Sequence, residues 1–452
     1  MEITEGLAMT INKKTMTLLA AAAVCAAISG CSTGTATTEG TAAPSSGGEA
    51  AQSKPNEKIT LTMWGGVPAE SGPQEVVDAW NAQHPDIQVK YERFVNDDAG
   101  NMKLDTALTT DQGVDLFVSY SQTLLQRRVD AGFAVDLGTF KDYNIDEKIA
   151  GAAEWKTNGK YYGMPTSKSQ FFVWFNKDLL DQAGLKVPDA WTWQDMKMYA
   201  EKLKSDSRYG LVQHLEPFPD PLDSVSTKYG YTKPDGSSNM DHPLYGQWLE
   251  TLKAMMQDGR TTVPYAEQVT SKMPVETVFL KGEAAMLNAG TWIFRSANNM
   301  KDNPRSFKIA FAPVPRLTDK AEDFVTRGGT GDAISINAKS KNKEAAWKFL
   351  TWYADGGMLP MVPGGRFPAS KSVNADETLK LLLGDNAATY DQESLKKVLF
   401  NDSAKYTRSL PKQVMDLRQE EYENFFTGKK DVKATLEAIA RRHNDYLKQN
   451  KK

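Results

Sequence analysis

Four aromatic residues stand where predicted strands give way to turns. Trp64 closes the alternating run Ile59-Thr60-Leu61-Thr62-Met63-Trp64, and Tyr120 follows the apolar stretch Val114-Asp115-Leu116-Phe117-Val118. Trp174 lies in Phe171-Phe172-Val173-Trp174-Phe175-Asn176, and Trp292 in Gly290-Thr291-Trp292-Ile293. In open α/β sheets, ligands bind outside the carboxyl ends of the strands. A flat apolar ring with polar neighbours suits a sugar, whose ring faces are apolar and whose edges carry hydroxyls. Those hydroxyls pair with planar carboxylate, amide and guanidinium groups.

The residue patterns of covalent, metal and redox chemistry are missing. There is no G-x-S-x-G elbow, H-E-x-x-H, P-loop or C-x-x-C. Gly329-Thr330-Gly331 lacks the third glycine of a dinucleotide fingerprint. The four histidines, His84, His214, His242 and His443, are scattered, so neither a zinc centre nor any cofactor is expected. Asp97-Asp98 and Asp220-x-x-Asp223 are calcium-capable residues without the twelve-residue loop pattern, and read as solvated loop carboxylates. The paired carboxylates of glycoside hydrolysis meet only in space, so the sequence leaves that enzyme class open.

Composition narrows the class further. The chain has 452 residues, 54 Lys+Arg against 57 Asp+Glu, a net charge of -3 and a hydrophobic share of 40%. These are ordinary values for a soluble globular protein of two or three domains. They exclude a collagen, a coiled coil, a disordered chain and a polytopic membrane protein. The balanced charge gives no reason to expect nucleic acid. Both cysteines, Cys25 and Cys31, precede residue 32, so the rest of the chain folds without disulfides or thiolate metal sites.

The amino terminus reads as a targeting segment. Lys13 and Lys14 precede an apolar run from Met16 to Ile28, too short to span a bilayer and suited to a signal-peptide core. Either Met1 or Met9 serves as the start. Ile28-Ser29-Gly30-Cys31 resembles a bacterial lipobox. That resemblance implies removal of residues 1–30 and lipidation of Cys31. Residues 31–58 carry almost no large apolar side chain and are expected to act as a flexible tether.

The body reads as α/β. Ile59–Trp64, an amphipathic helix with Val76, Val77 and Trp80 on one face, and the alternation Ile87, Val89, Tyr91 form a strand–helix–strand unit. Such a unit favours parallel pairing. Ser71 and Gln74 have capping-box spacing, with Pro73 in the first turn. Val114–Val118 predicts a third, more buried strand. Helices are expected over 194–204, 343–354, 413–426 and 432–447, the second stopped by Gly356-Gly357. The apolar positions of the first are Met196, Met198, Tyr199 and Leu203. Trp80, Trp155, Trp191, Trp193, Trp248, Trp347 and Trp352 read as structural.

Five blocks in order carry a family resemblance: W-K-T-N-G-K-Y-Y-G-M-P (155–165), F-N-K-D-L-L-D-Q-A-G-L (175–185), F-L-K-G-E-A-A-M-L-N-A-G-T-W (279–292), K-I-A-F-A-P-V-P-R (308–316) and G-G-T-G-D-A-I-S-I-N-A-K-S-K-N-K-E-A-A-W-K-F-L (328–350). They resemble the extracellular solute-binding proteins of carbohydrate ABC transporters, the group that includes maltose-binding protein. The resemblance implies an α/β, two-lobed periplasmic-binding-protein-like fold (type II) with a hinge and an inter-lobe cleft. One lobe would hold 59–165 plus 310–365, the other 166–309 plus 366–447. It implies a monomer that closes on a sugar, expected to be an oligosaccharide, and delivers it to permease subunits while held to the membrane through Cys31. The ligand contacts it implies are Trp64, Gly66, Tyr120, Ser121, Gln122, Trp174, Glu216, Phe218, Trp292, Gly329 and Arg366. Phe218 stands where maltose-binding protein has a tyrosine, and Ser119 replaces an aromatic, so maltose itself is a poor fit. The rival readings are a secreted glycoside hydrolase, a polymer-binding adhesin or scaffold, and a receptor for a non-sugar solute such as a polyamine, a metal complex or glycerol phosphate. A phosphate ligand would want basic residues in the cleft, and only Arg366 and Lys168 offer themselves.

Overall fold

The computed structural model describes residues 58–214, 225, 228–316, 318–320, 328–399 and 410–450. These residues belong to one compact unit, Pro55–Lys452. The predicted signal segment and Cys31 lie outside the described residues.

Strand β1 (Ile59–Gly65) pairs in parallel with β2 (Ile87–Arg93) and with β3 (Leu116–Ser119). Helix Pro73–Gln83 connects the first two, burying Val76, Val77 and Trp80 as the periodicity predicts. Its amino-terminal cap differs from expectation. Ser71 ends a short 3-10 turn, and Gly72 caps the helix at φ +118 with no side-chain hydrogen bond. A β-carbon there would stand 2.7 Å from the Pro360 carbonyl oxygen, so only glycine fits the approach.

The longest strand among the described residues, β4 (Met164–Asn176), joins two bodies. Its first half pairs antiparallel with β8 (Gly328–Ile336) and β9 (Phe367–Pro368). Its second half, from Phe171, pairs with β6 (Ala284–Gly290) and β7 (Ile309–Pro313). β5 (Tyr209–Gln213) extends that side in parallel with β6. The hydrogen-bonded path runs β2-β1-β3-β8-β4-β6-β5. The residue expected to open the first lobe's second piece, 310, lies inside β7, which pairs with Phe172–Asn176 on the other body.

Apolar cores follow the same division. One cluster gathers Leu61, Val89, Leu116, Ile334, Ile336 and Leu350. Two more cover the faces of the other half, around Val173 and Phe175 and around Phe172 and Trp174. Alternate β4 residues thus feed opposite faces, as strand geometry requires. Helix Trp193–Leu203 opens on a Thr192–Asp195 capping box. It buries Met196 and Leu203, but Met198 is exposed, so the predicted apolar face is narrower than the run of hydrophobic residues. Among the described residues, no helix is long and apolar enough to cross a membrane.

Candidate functional site

Of the ten tryptophans, only Trp292 and Trp352 are not buried. Trp352 packs edge-on against Trp80, with ring centroids 5.2 Å apart. Trp292 sits at the end of β6, in a 3-10 turn over Thr291–Ile293, part-buried and packed edge-on against Phe171 at 5.1 Å. Its ring lies back over Gly290, where a β-carbon would overlap the indole. Glycine therefore sets where this aromatic surface stands. His214 approaches it at 6.4 Å, and the His214 Nε2 lies 3.5 Å from Glu276 Oε1, whose other oxygen is 3.3 Å from Ser296 Oγ.

On the other body, Tyr120 follows β3. The Gly66 amide donates to its hydroxyl at 2.5 Å, and a β-carbon on Gly66 would press within 2.8 Å of the ring. Burial, with Asp332 beside it, pushes the Tyr120 phenol up to about 12. Burial also raises the neighbouring Tyr91 and Tyr353 phenols. Arg366 forms an ion pair with Asp332 of β8, and its guanidinium carbon lies 5.5 Å from the Tyr120 ring centroid. Beneath these groups lies a cavity of about 30 Å³, lined by Tyr91, Val118, Tyr120, Asp332 and Tyr353 among others. It has room for a water molecule or two and none for a sugar ring.

The two sides approach where β4 changes partners. Ser169 pairs with Gly329 and places its Oγ 3.4 Å from Thr291 Oγ1. Gly329 has φ +119 and is held within the β4–β8 ladder. Gly365, at φ +81, packs on Thr291.

The remaining sequence candidates separate. Ser121 caps helix Gln122–Asp130, accepting from the Leu124 amide at 3.1 Å, so its hydroxyl is engaged by the helix end. Gln122 donates to the Glu154 carbonyl at 2.6 Å. Trp64 is buried beside Lys103, and its indole nitrogen is among the buried atoms without a hydrogen-bond partner. Trp174 requires a correction. It has 0% exposure, packed between Phe172, Phe294 and Phe311, so neither ring face is open to a ligand. Glu216 and Phe218 lie outside the described residues. Asp97, weighed as a calcium ligand, caps its helix by accepting from Gly100 at 2.7 Å. Asp332 and Glu276 escape the sequence reading, which meets Phe171 and His214 without giving either a sugar-binding role. Of these only Asp332, after a glycine run, carries a local signal.

An α/β sheet system shared through one strand, with aromatic groups on both sides of the sharing point, defines a two-lobed binding-protein fold. The same fold is seen in an ABC substrate-binding protein from Listeria monocytogenes solved with cycloalternan, with TM-score 0.69 and 22% identity over 86% of this chain and 98% of that one. It is also seen in the maltose-bound MalE3 of T. maritima, with TM-score 0.69 and 20% identity over 86% and 99%. Residues 65–355 match the family described as bacterial extracellular solute-binding protein, and the chain belongs to that family. Curated relatives include the arabinooligosaccharide-binding protein of Bacillus subtilis, 25% identical over 62% of this chain and 65% of that protein. The maltotriose-binding protein of Pyrococcus abyssi is 23% identical over 62% of this chain and 58% of its own length.

Proposed function

We propose that this chain is a lipid-anchored receptor on the outer face of the cytoplasmic membrane, which captures an oligosaccharide by lobe closure and hands it to an ABC importer. The lobes would correspond to the two bodies that share β4. The observation that carries the reading is Trp292, a part-buried tryptophan at the end of β6, where β4 changes partners. Its relatives' sugar ligands support the same substrate class. A ligand touching both bodies favours the closed arrangement by its differential affinity for it. Trp292 would stack on a pyranose face, with Tyr120 and Gly66 on the opposing side. His214, 6.4 Å from the indole, and Glu276 beside it would meet hydroxyls at the ring edge. Cys31, within the lipobox-like sequence, would carry the acyl chains and residues 32–58 the tether. Binding without turnover follows from this reading.

The test is a tryptophan-fluorescence and thermal-shift titration of the soluble body against a panel of oligosaccharides, with product analysis of the same mixtures. We expect a saturable fluorescence change, a raised melting temperature and intact glycan. Cleaved glycan would make the protein a hydrolase. A response confined to polyamines or glycerol phosphate would move it to another solute class.

A further inference from the structure

The family resemblance makes Arg366 a ligand contact, but its surroundings assign it differently. We propose that Arg366 is a positioning residue that holds the Tyr120 ring in register with the Trp292 turn, so that two aromatic surfaces beyond the ends of different strands act as one site. This rests on the sugar-binding reading above.

The guanidinium is already engaged. It pairs with Asp332 and faces the Tyr120 ring at 5.5 Å, and the two charged side chains are only 20% and 13% exposed. Burial alone would lower the Arg366 pKa, but Asp332 and the nearby phenols outweigh it and raise it. A planar cation between a carboxylate and a ring face is a geometry that Arg fills and Lys does not. Tyr120 is fixed on its other edge by the Gly66 amide at 2.5 Å.

The backbone of the same residue leads to Trp292. Arg366 follows Gly365, and a β-carbon on Gly365 would overlap the Thr291 carbonyl oxygen and lie 3.3 Å from the Trp292 amide. The turn is pinned from behind by Gly365 and Arg366 amides donating to Val362 and Met361 carbonyls at 2.8 and 3.3 Å. A displacement of the Trp292 turn therefore passes through one residue to the Tyr120 face.

The test uses the full chain and two readouts. In ligand-free protein, the indole N–H resonance of Trp292 is assigned by its loss in Trp292→Phe. Arg366→Gln should shift that resonance with no ligand present. Affinity for maltotriose is then measured by calorimetry. Arg366→Gln and Tyr120→Ala should each weaken it about tenfold, and the double variant no more than either alone, since groups acting through each other are not additive. Arg366→Lys, which keeps the charge beside Asp332, should fold like the parent and recover only part of the affinity. An unmoved Trp292 resonance, or losses that multiply in the double variant, would overturn the proposal. A parent chain that ignores maltotriose counts against that sugar as ligand, while the resonance still decides the role of Arg366.

Discussion

Gly365 lies against the carbonyl of Thr291 so closely that a β-carbon would overlap its oxygen. This contact ties the turn that carries Arg366 to the turn that carries Trp292. Its consequence is measurable. Gly365→Ala must relieve both a positive φ and a backbone overlap. Gly428 has a similar φ of +78 with nothing within 4 Å of a β-carbon. Gly428→Ala should therefore show the left-handed strain alone, about 1–2 kcal/mol. Gly365→Ala should cost clearly more in urea denaturation and also shift the tryptophan emission. Equal costs would mean that the Thr291 contact relaxes freely.

Trp292 and Trp174 separate binding from folding. Trp292→Ala removes a part-exposed ring, and an aromatic contact is worth about 0.5–1.5 kcal/mol beyond its area. Sugar affinity should fall by up to about tenfold with little change in melting temperature. Trp174→Ala opens a hole in a sealed core, where large aromatic truncations cost about 3–5 kcal/mol. It should lower the melting temperature strongly. A stable Trp174→Ala protein with lost sugar binding would reverse both assignments.

The contrast between these two residues shows what could be read from the chain. The strands, the parallel β1–β2 unit and the late helices follow from periodicity and breakers, which are local. Trp64, Trp174 and Trp292 have similar local settings, each near a strand end. Their exposure differs because Trp64 and Trp174 are packed into the core while Trp292 stands in the turn beyond β6, a fact of tertiary packing. Ser121 and Asp97 likewise look like ligand residues until their helix amides are seen to be bonded to them. Arg366 and Asp332 are 34 residues apart, and no spacing rule joins them. Gly72 takes the capping place expected of Ser71, and the Pro360 carbonyl that keeps it a glycine arrives from far along the chain.

The phenol of Tyr120 receives the Gly66 amide and is pushed up to about 12 by burial and Asp332. A phenol whose folded value is raised stabilises the fold fully below its unfolded value near 10.0, and that contribution is lost as pH rises through the folded value. Tyr120→Phe should weaken stability at pH 7 by about 1 kcal/mol through the unpaired amide. It should also flatten the alkaline fall between pH 10 and 12, followed by circular dichroism. An unchanged alkaline limb would place the titration on another tyrosine.

The acid limb depends on different groups. His443 is 3% exposed, faces Ser238 Oγ at 2.8 Å, and burial lowers its pKa from 6.5. The unfolded chain then takes up a proton that the folded one refuses, so stability falls as pH drops through 6.5 and continues to fall until the folded value is passed. Glu421 behaves as a carboxylate held by cations. Burial opposes its charge, but Lys430 and Arg442 lower its pKa below 4.5. Its contribution is present above 4.5 and disappears only as pH falls toward its folded value. His443→Asn should therefore flatten the melting temperature between pH 7 and 5 and leave the fall below pH 4.5 in place. Glu421→Gln should reduce the lower fall and spare the upper one. If His443→Asn leaves the upper window untouched, the proton enters elsewhere, and the burial of this imidazole has no bearing on acid stability.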